Sequence, residues 1–157
     1  MKTAIVYFSK HGTTEKVARL VGKNLKTDVV DYISLKTNKT PDIRTYEKII
    51  IGTSVYAGNP PKEIKTFCKN NRLLLEQKKI GLFICCMDKH KEQEQLKNAY
   101  PAYLQNIAID SKAMGGEFLF ENMNFWERFV IKRISKVKSS VSNLDYEAIR
   151  IFSEKMK

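Results

Sequence analysis

Three consecutive isoleucines, Ile49, Ile50 and Ile51, sit inside the segment 48–55, which reads as a strand. Side chains alternate across a strand, so a strand with no polar alternation must be covered on both faces. A parallel sheet between two helical layers meets that demand. The runs at 3–9 and 80–87 repeat the pattern, 29–35 is a further strand, and 115–120 reads as a fifth. Between strands the apolar spacing turns helical, first at Val17, Leu20, Val21 and Leu25. A second helix opens near Pro61, where a missing N–H does no harm. A polar loop and helix at 89–107 break at Pro101, and two more helical patterns, 124–138 and 144–156, close the chain, with Asn143 as the expected cap of the last. The segment 36–46 is polar, carries Pro41 and reads as loop. Strands that alternate with helices predict an α/β fold built on a doubly wound parallel sheet.

Of the 157 residues, 43% are hydrophobic, which suits one packed core and argues against disorder. After Met1, Lys2 and Thr3 the chain has only five apolar residues in a row, too few for a signal-peptide core or a membrane span. The expected location is the cytoplasm. Cys68, Cys85 and Cys86 have no C-x-x-C spacing, so they read as reduced core or near-core thiols, Cys85 and Cys86 packed in a strand, and no metal site is expected. The net charge of +11 implies attraction to something acidic: nucleic acid, an anionic membrane surface or a polyanionic small molecule. No nucleic-acid motif accompanies that charge, and nucleic acid is not an expected partner.

Ligands of such sheets lie beyond the carboxyl ends of the strands. Three loops leave those ends, at 9–14, 53–59 and 87–90. The first consists of Ser9, Lys10, His11, Gly12, Thr13 and Thr14 and opens a helix, whose N–H groups and dipole favour an anion. Plain capping needs one hydroxyl; this loop offers three around a glycine. The phosphate is not that of a nucleoside triphosphate bound by G-x-x-x-x-G-K-S/T, nor of a dinucleotide bound by G-x-G-x-x-G, because neither motif is present. A response regulator needs acidic residues where Ser9 and Thr53 stand, and a phosphatase thiolate needs an Arg that the loop after Cys85 and Cys86 lacks. The second loop, with Thr53, Ser54, Val55, Tyr56, Ala57 and Gly58, combines small residues with a ring able to stack on a planar ligand and a glycine free to turn its peptide. A phosphate grip beside a stacking face describes flavin mononucleotide (FMN).

On these two loops the chain resembles the flavodoxins over nearly its whole length. The resemblance implies a single flavodoxin-like domain over 1–157. Its five-stranded parallel sheet would run in the order 2-1-3-4-5, with helices on both faces and an extra helix after the last strand. It implies FMN as cofactor, with 9–14 around the ribityl phosphate, 53–58 bordering the isoalloxazine ring, and Met87, Asp88 and Lys89 on the ring's other side. His11 is then expected to shield the phosphate and His90 to be solvated. With two histidines and no paired carboxylates, the flavin carries the chemistry and no side chain is assigned a catalytic role.

The last third of the chain resembles the bacterial menaquinone-dependent protoporphyrinogen oxidases, flavodoxin-like enzymes with an added aromatic and basic segment. Trp126, Arg128, Phe129, Ile131 and Lys132 carry that resemblance. It implies electron transfer from a porphyrinogen to a quinone, near the inner face of the cell membrane. The alternative function is a soluble FMN electron carrier between redox partners. In the helical pattern 124–138, Trp126, Val130, Ile134 and Val137 form one stripe, expected to dock on the domain. Arg128, Lys132 and Lys136 form a second stripe beside Phe125 and Phe129, expected to meet an anionic membrane or the carboxylates of a porphyrin. Residues 125–138 hold five basic residues and one acid, Glu127.

Overall fold

In the computed structural model, which describes residues 1–26, 29–56, 58–135 and 139–157, five parallel strands form one sheet. They are β1 (Lys2–Phe8), β2 (Val29–Ser34), β3 (Lys48–Ser54), β4 (Lys79–Cys85) and β5 (Ala108–Ala113), in the order β2-β1-β3-β4-β5. One face packs against α1 (Thr13–Asn24) and α7 (Tyr146–Lys155) through Ile5, Tyr7, Ile50 and Phe83. The opposite face packs against α2 (Lys62–Asn70), α3 (Arg72–Leu75), α4 (Glu92–Ala99) and α5 (Ala102–Ile107) through Ala4, Val6, Ile49, Ile51, Leu82 and Ile84. Adjacent residues of one strand thus enter different cores, as unbroken apolar runs require. Cys85 and Cys86 divide between the two cores in the same way.

The fifth strand is not 115–120. Ala108–Ala113 pairs with β4, whereas β6 (Gly115–Phe118) forms a separate antiparallel pair with β7 (Val141–Leu144). The true β5 is an edge strand, and edges carry charge where central strands do not. Its Asp110 accepts from Lys155 Nζ at 2.9 Å, and α5 runs into it with no intervening loop. Asn143 lies in β7 and caps nothing; Asp145 caps α7, its side chain accepting from Ala148 N–H at 2.8 Å. The helix expected at 124–138 is α6 (Phe125–Ser135). Lys136, Val137 and Lys138, and Ala57 of the second loop, lie outside the described residues.

Between β5 and α7 the chain therefore makes an excursion. It leaves along β6, passes a 3-10 turn at Phe120–Asn122 and α6, and returns along β7. Met114 N–H donates to the Ile84 carbonyl and Cys86 N–H to the Gly115 carbonyl, both at 2.9 Å, which lays the start of the excursion over the carboxyl end of β4. Gly115 has φ +72°, and a Cβ there would stand 2.1 Å from the Asn143 carbonyl oxygen, so only glycine serves.

In the middle of the sheet Gly52 pairs with Phe83 in register, and a Cβ on Gly52 would meet the Phe83 ring at 2.0 Å. Gly52→Ala is expected to cost ~1–3 kcal/mol by overpacking. Adding Phe83→Leu should recover part of the loss, so that the double variant falls short of the sum of the singles in urea denaturation. Strict additivity would show that the ring does not fill this space.

Candidate functional site

The carboxyl ends of β1, β3 and β4 open into a cavity of about 790 Å³, roofed by β6, Met123 and α6. From the first loop, Lys10, His11 and Thr13 line it. Gly12 is the N-terminal boundary of α1 with φ +100°, and no side chain caps that helix. The Ser9 hydroxyl instead accepts from Gly12 N–H at 3.1 Å. Thr14 is buried, and its hydroxyl oxygen has no hydrogen-bond partner. Capping therefore does not account for the hydroxyls of this loop. An uncapped helix N-terminus beside an unpartnered buried hydroxyl is equipment for an anion.

From the second loop, Ser54, Val55 and Tyr56 line the cavity, and Ser54 Oγ is buried without a partner as well. Burial pushes both the Cys85 thiol and the Tyr56 phenol up to about 12; the nearby Thr14 and Ser54 hydroxyls, respectively, oppose that rise but stand outside hydrogen-bond geometry. Thr53 is fully buried and donates to the Ser54 carbonyl at 3.1 Å, so it braces the loop from behind. Tyr56 and Asn59 exchange backbone hydrogen bonds at 3.3 and 3.0 Å. Gly58 between them has φ +78°, and a Cβ there would meet nothing within 4 Å, which leaves its peptide room to turn. From the third loop, Met87 and Asp88 reach the cavity. Lys89 and His90 are exposed, and Asp88 accepts from His90 N–H at 3.0 Å.

The roof was not evident as part of the site. Phe118, Met123, Trp126, Val130 and Ile131 supply an apolar wall, while Glu117 and Glu127 supply carboxylates; Gln95, Cys85 and Cys86 complete the floor. Two signals for Glu127 exist in the sequence: it is the single acid of a basic stretch, and it stands three residues after Asn124. That is the spacing of a capping box, although the return bond is side chain to side chain: Asn124 Oδ1 accepts from Glu127 N–H at 2.8 Å, and Asn124 Nδ2, not the backbone N–H, donates to Glu127 Oε1 at 3.0 Å. Trp126 and Val130 of the stripe expected to dock reach the cavity, but at 71% and 47% exposed they stand at its rim and are not packed into the domain. On the other stripe Phe125 is 75% exposed and Phe129 also faces outward. Arg128 Nε donates to the Met123 carbonyl at 3.1 Å, and Lys132 Nζ lies 5.5 Å from the Phe120 ring centroid, so these two cations partly fold back on the roof. Among the described residues no group of three or more His, Cys, Asp or Glu could hold a metal ion.

A five-stranded parallel sheet in the order 2-1-3-4-5, with anion-binding equipment after its first strand, defines a flavodoxin-type architecture. The chain matches the flavodoxin domain over residues 4–145 and belongs to that family. In three dimensions it is similar to oxidised flavodoxin 2 from Bacillus cereus, with a TM-score of 0.60, 17% identity, and 99% of this chain and 97% of that one covered. It is also similar to rubredoxin oxygen:oxidoreductase from the anaerobe Desulfovibrio gigas (TM-score 0.55, 14% identity, 99% of this chain and 37% of that one). A WrbA-like flavodoxin from Agrobacterium tumefaciens is similar too (TM-score 0.51, 20% identity, 68% of each chain). At such identities the common property is the fold. No protein of curated function matches the sequence.

Burial pushes the Cys68 and Cys85 thiols up to about 12 and that of Cys86 up to about 11. An unfolded thiol ionises near about 8.5. Above that pH the native chain keeps protons that the unfolded chain has lost, so these thiols contribute stability that is intact below about pH 8.5 and declines as pH rises toward their native values. The urea midpoint should hold level up to about pH 8.5 and fall toward about pH 10.5, less steeply in a Cys85→Ala, Cys86→Ala variant. An equal slope in that variant would assign the decline to other groups.

Proposed function

We propose that this chain is an FMN protein that passes electrons through a flavin held in the cavity at the carboxyl ends of β1, β3 and β4. The observation that carries the reading is the uncapped N-terminus of α1, with the unpartnered Thr14 hydroxyl, beside the Tyr56 loop. Ser9, Lys10, His11, Gly12, Thr13 and Thr14 would hold the phosphate. Thr53, Ser54, Val55, Tyr56, Ala57 and Gly58 would border one side of the ring, and Met87, Asp88 and Lys89 the other. When bound, FMN supplies the redox chemistry at its ring; the chain's part is to seat the phosphate, flank the ring and exclude water. The purified protein should show the visible absorption of oxidised flavin, and its apoprotein should take up FMN. Thr13→Leu with Thr14→Leu should weaken that uptake, since each hydrogen bond to a charged group is worth ~1.5–3 kcal/mol. An apoprotein that ignores FMN but takes FAD would overturn the reading.

For the partner we propose the α6 face. Phe125, Trp126 and Phe129 stand exposed and edge to face, with ring centroids 5.9 and 6.4 Å apart, among Arg128, Lys132 and Arg133. Exposed aromatics of this extent mark interaction surfaces. They favour a dehydrogenase of the porphyrinogen–quinone type working at an anionic membrane surface over a freely diffusing carrier. No helix among the described residues is long and apolar enough to cross a membrane, so the association would be peripheral, at ~1 kcal/mol for each basic residue near the bilayer. Co-sedimentation should favour anionic over neutral vesicles at low salt, and changing Arg128, Lys132 and Lys136 to Gln should abolish the preference. Turnover of a porphyrinogen with a quinone present is the companion assay. No anionic preference removes the membrane from the proposal, and no turnover leaves the electron-carrier function.

A further inference from the structure

We propose that the Glu127 carboxylate is an internal rival for the anion site of the first loop. The roof then acts as a latch that must release before a phosphate is seated. This rests on the reading that residues 9–14 take the phosphate of FMN.

Each basic side chain of the first loop and first turn of α1 faces an acid from the roof. Glu127 Oε1 lies 3.2 Å from Lys10 Nζ, and Glu127 Oε2 lies 2.7 Å from His11 Nε2. Lys16 Nζ lies 3.1 Å from Glu117 Oε2. The side chains of His11, Glu127 and Glu117 are sheltered, at 8%, 24% and 2% exposed, whereas those of Lys10 and Lys16 stay half exposed. A second link holds the same loop, for Asn122 Nδ2 donates to the His11 carbonyl at 2.9 Å, and His11 Nδ1 lies 2.9 Å from the Asn122 carbonyl. A carbonyl can only accept, so Nδ1 carries a hydrogen, and Nε2 has one for Glu127 only when the ring is charged. In a neutral ring Oε2 is left without a donor, as the Glu117 Oε1 atom is.

Capping alone does not explain Glu127. The box with Asn124 uses one oxygen, and glutamine would serve it equally. What glutamine would not supply is the negative charge that binds Lys10 and His11. Lys10 and His11 also flank the uncapped N-terminus of α1, so a phosphate arriving there meets a carboxylate close by and basic side chains already engaged. Seating the phosphate requires Glu127 to give them up, and with Glu127 goes α6. Affinity for the phosphate is then reduced by the fraction of molecules in which the latch is closed.

The test compares apoprotein of the native chain with Glu127→Gln, and with Glu121→Gln as a control. Glu121 belongs to the same excursion and has a different partner, accepting from Ser140 Oγ. Titrations use FMN and riboflavin, which lacks the phosphate; hydrogen exchange of the α6 amides is followed with and without inorganic phosphate. Glu127→Gln should bind FMN about tenfold more tightly than the native chain, which is about 1.4 kcal/mol. Riboflavin affinity should change less than about twofold, and Glu121→Gln should match the native chain. Inorganic phosphate should speed exchange in α6 of the native chain, a measurement that needs no variant. Equal or weaker FMN binding by Glu127→Gln overturns the latch alone, since the native chain then binds FMN unhindered. Tighter binding with α6 exchange indifferent to phosphate also overturns it, because mere repulsion would not move the helix. If neither chain binds FMN, the FMN reading falls and the latch with it.

Discussion

Every residue of β3, from Lys48 to Ser54, is buried. A strand with no wet face can exist only at the centre of a sheet that is covered twice, and covering a parallel sheet twice forces the connections to cross on both sides. That single condition aligns the carboxyl ends of β1, β3 and β4 along one edge. Loops far apart in sequence thereby become walls of one cavity. The site is where it is because isoleucine fills the middle of the sheet.

What could be read from the sequence follows from the same condition. The runs around Ile5, Ile50 and Leu82 have no polar alternation, and β1, β3 and β4 were legible for that reason. The hydroxyl-rich first loop and the Tyr56 loop were legible because they follow those strands directly. β5 was hidden by its own position: at the edge, Asp110, Ser111 and Lys112 are tolerated, and the more apolar 115–120 took its place. The two glycines of that segment were a sign of a turn and a close approach, not of a central strand. The roof of the cavity was illegible in a different sense. His11 meets Asn122 and Glu127 across more than a hundred residues of chain, and no local pattern encodes such a pairing. The capping box at Asn124 and Glu127 can be read locally, but not the fact that its acid also reaches a loop from the other end of the chain.

Net charge proved a poor guide to local field. The chain carries +11 overall, yet Lys10, His11 and Lys16, the basic groups nearest the first loop, each stand against a carboxylate. The excess positive charge lies on other surfaces, including α6. A bulk figure governs long-range attraction, whereas seating an anion depends on groups a few ångströms away. In this molecule the two differ in sign of effect: the surface attracts anions while the mouth of the site holds acids.

The excursion from β5 to α7 also bears on how such a chain can be rebuilt. Its two ends are neighbours: Gly115 pairs with Leu144 in the β6–β7 ladder, and Asp145 N–H donates to the Met114 carbonyl at 2.9 Å. Residues 114 and 145 thus meet at a single junction, with the five-stranded sheet on one side and the whole roof on the other. A segment whose entry and exit coincide can be exchanged for another without altering a strand of the sheet or the helix that follows. The roof is a replaceable part: one chassis could be refitted, by swapping what lies between those two residues, to face different partners over the same loops.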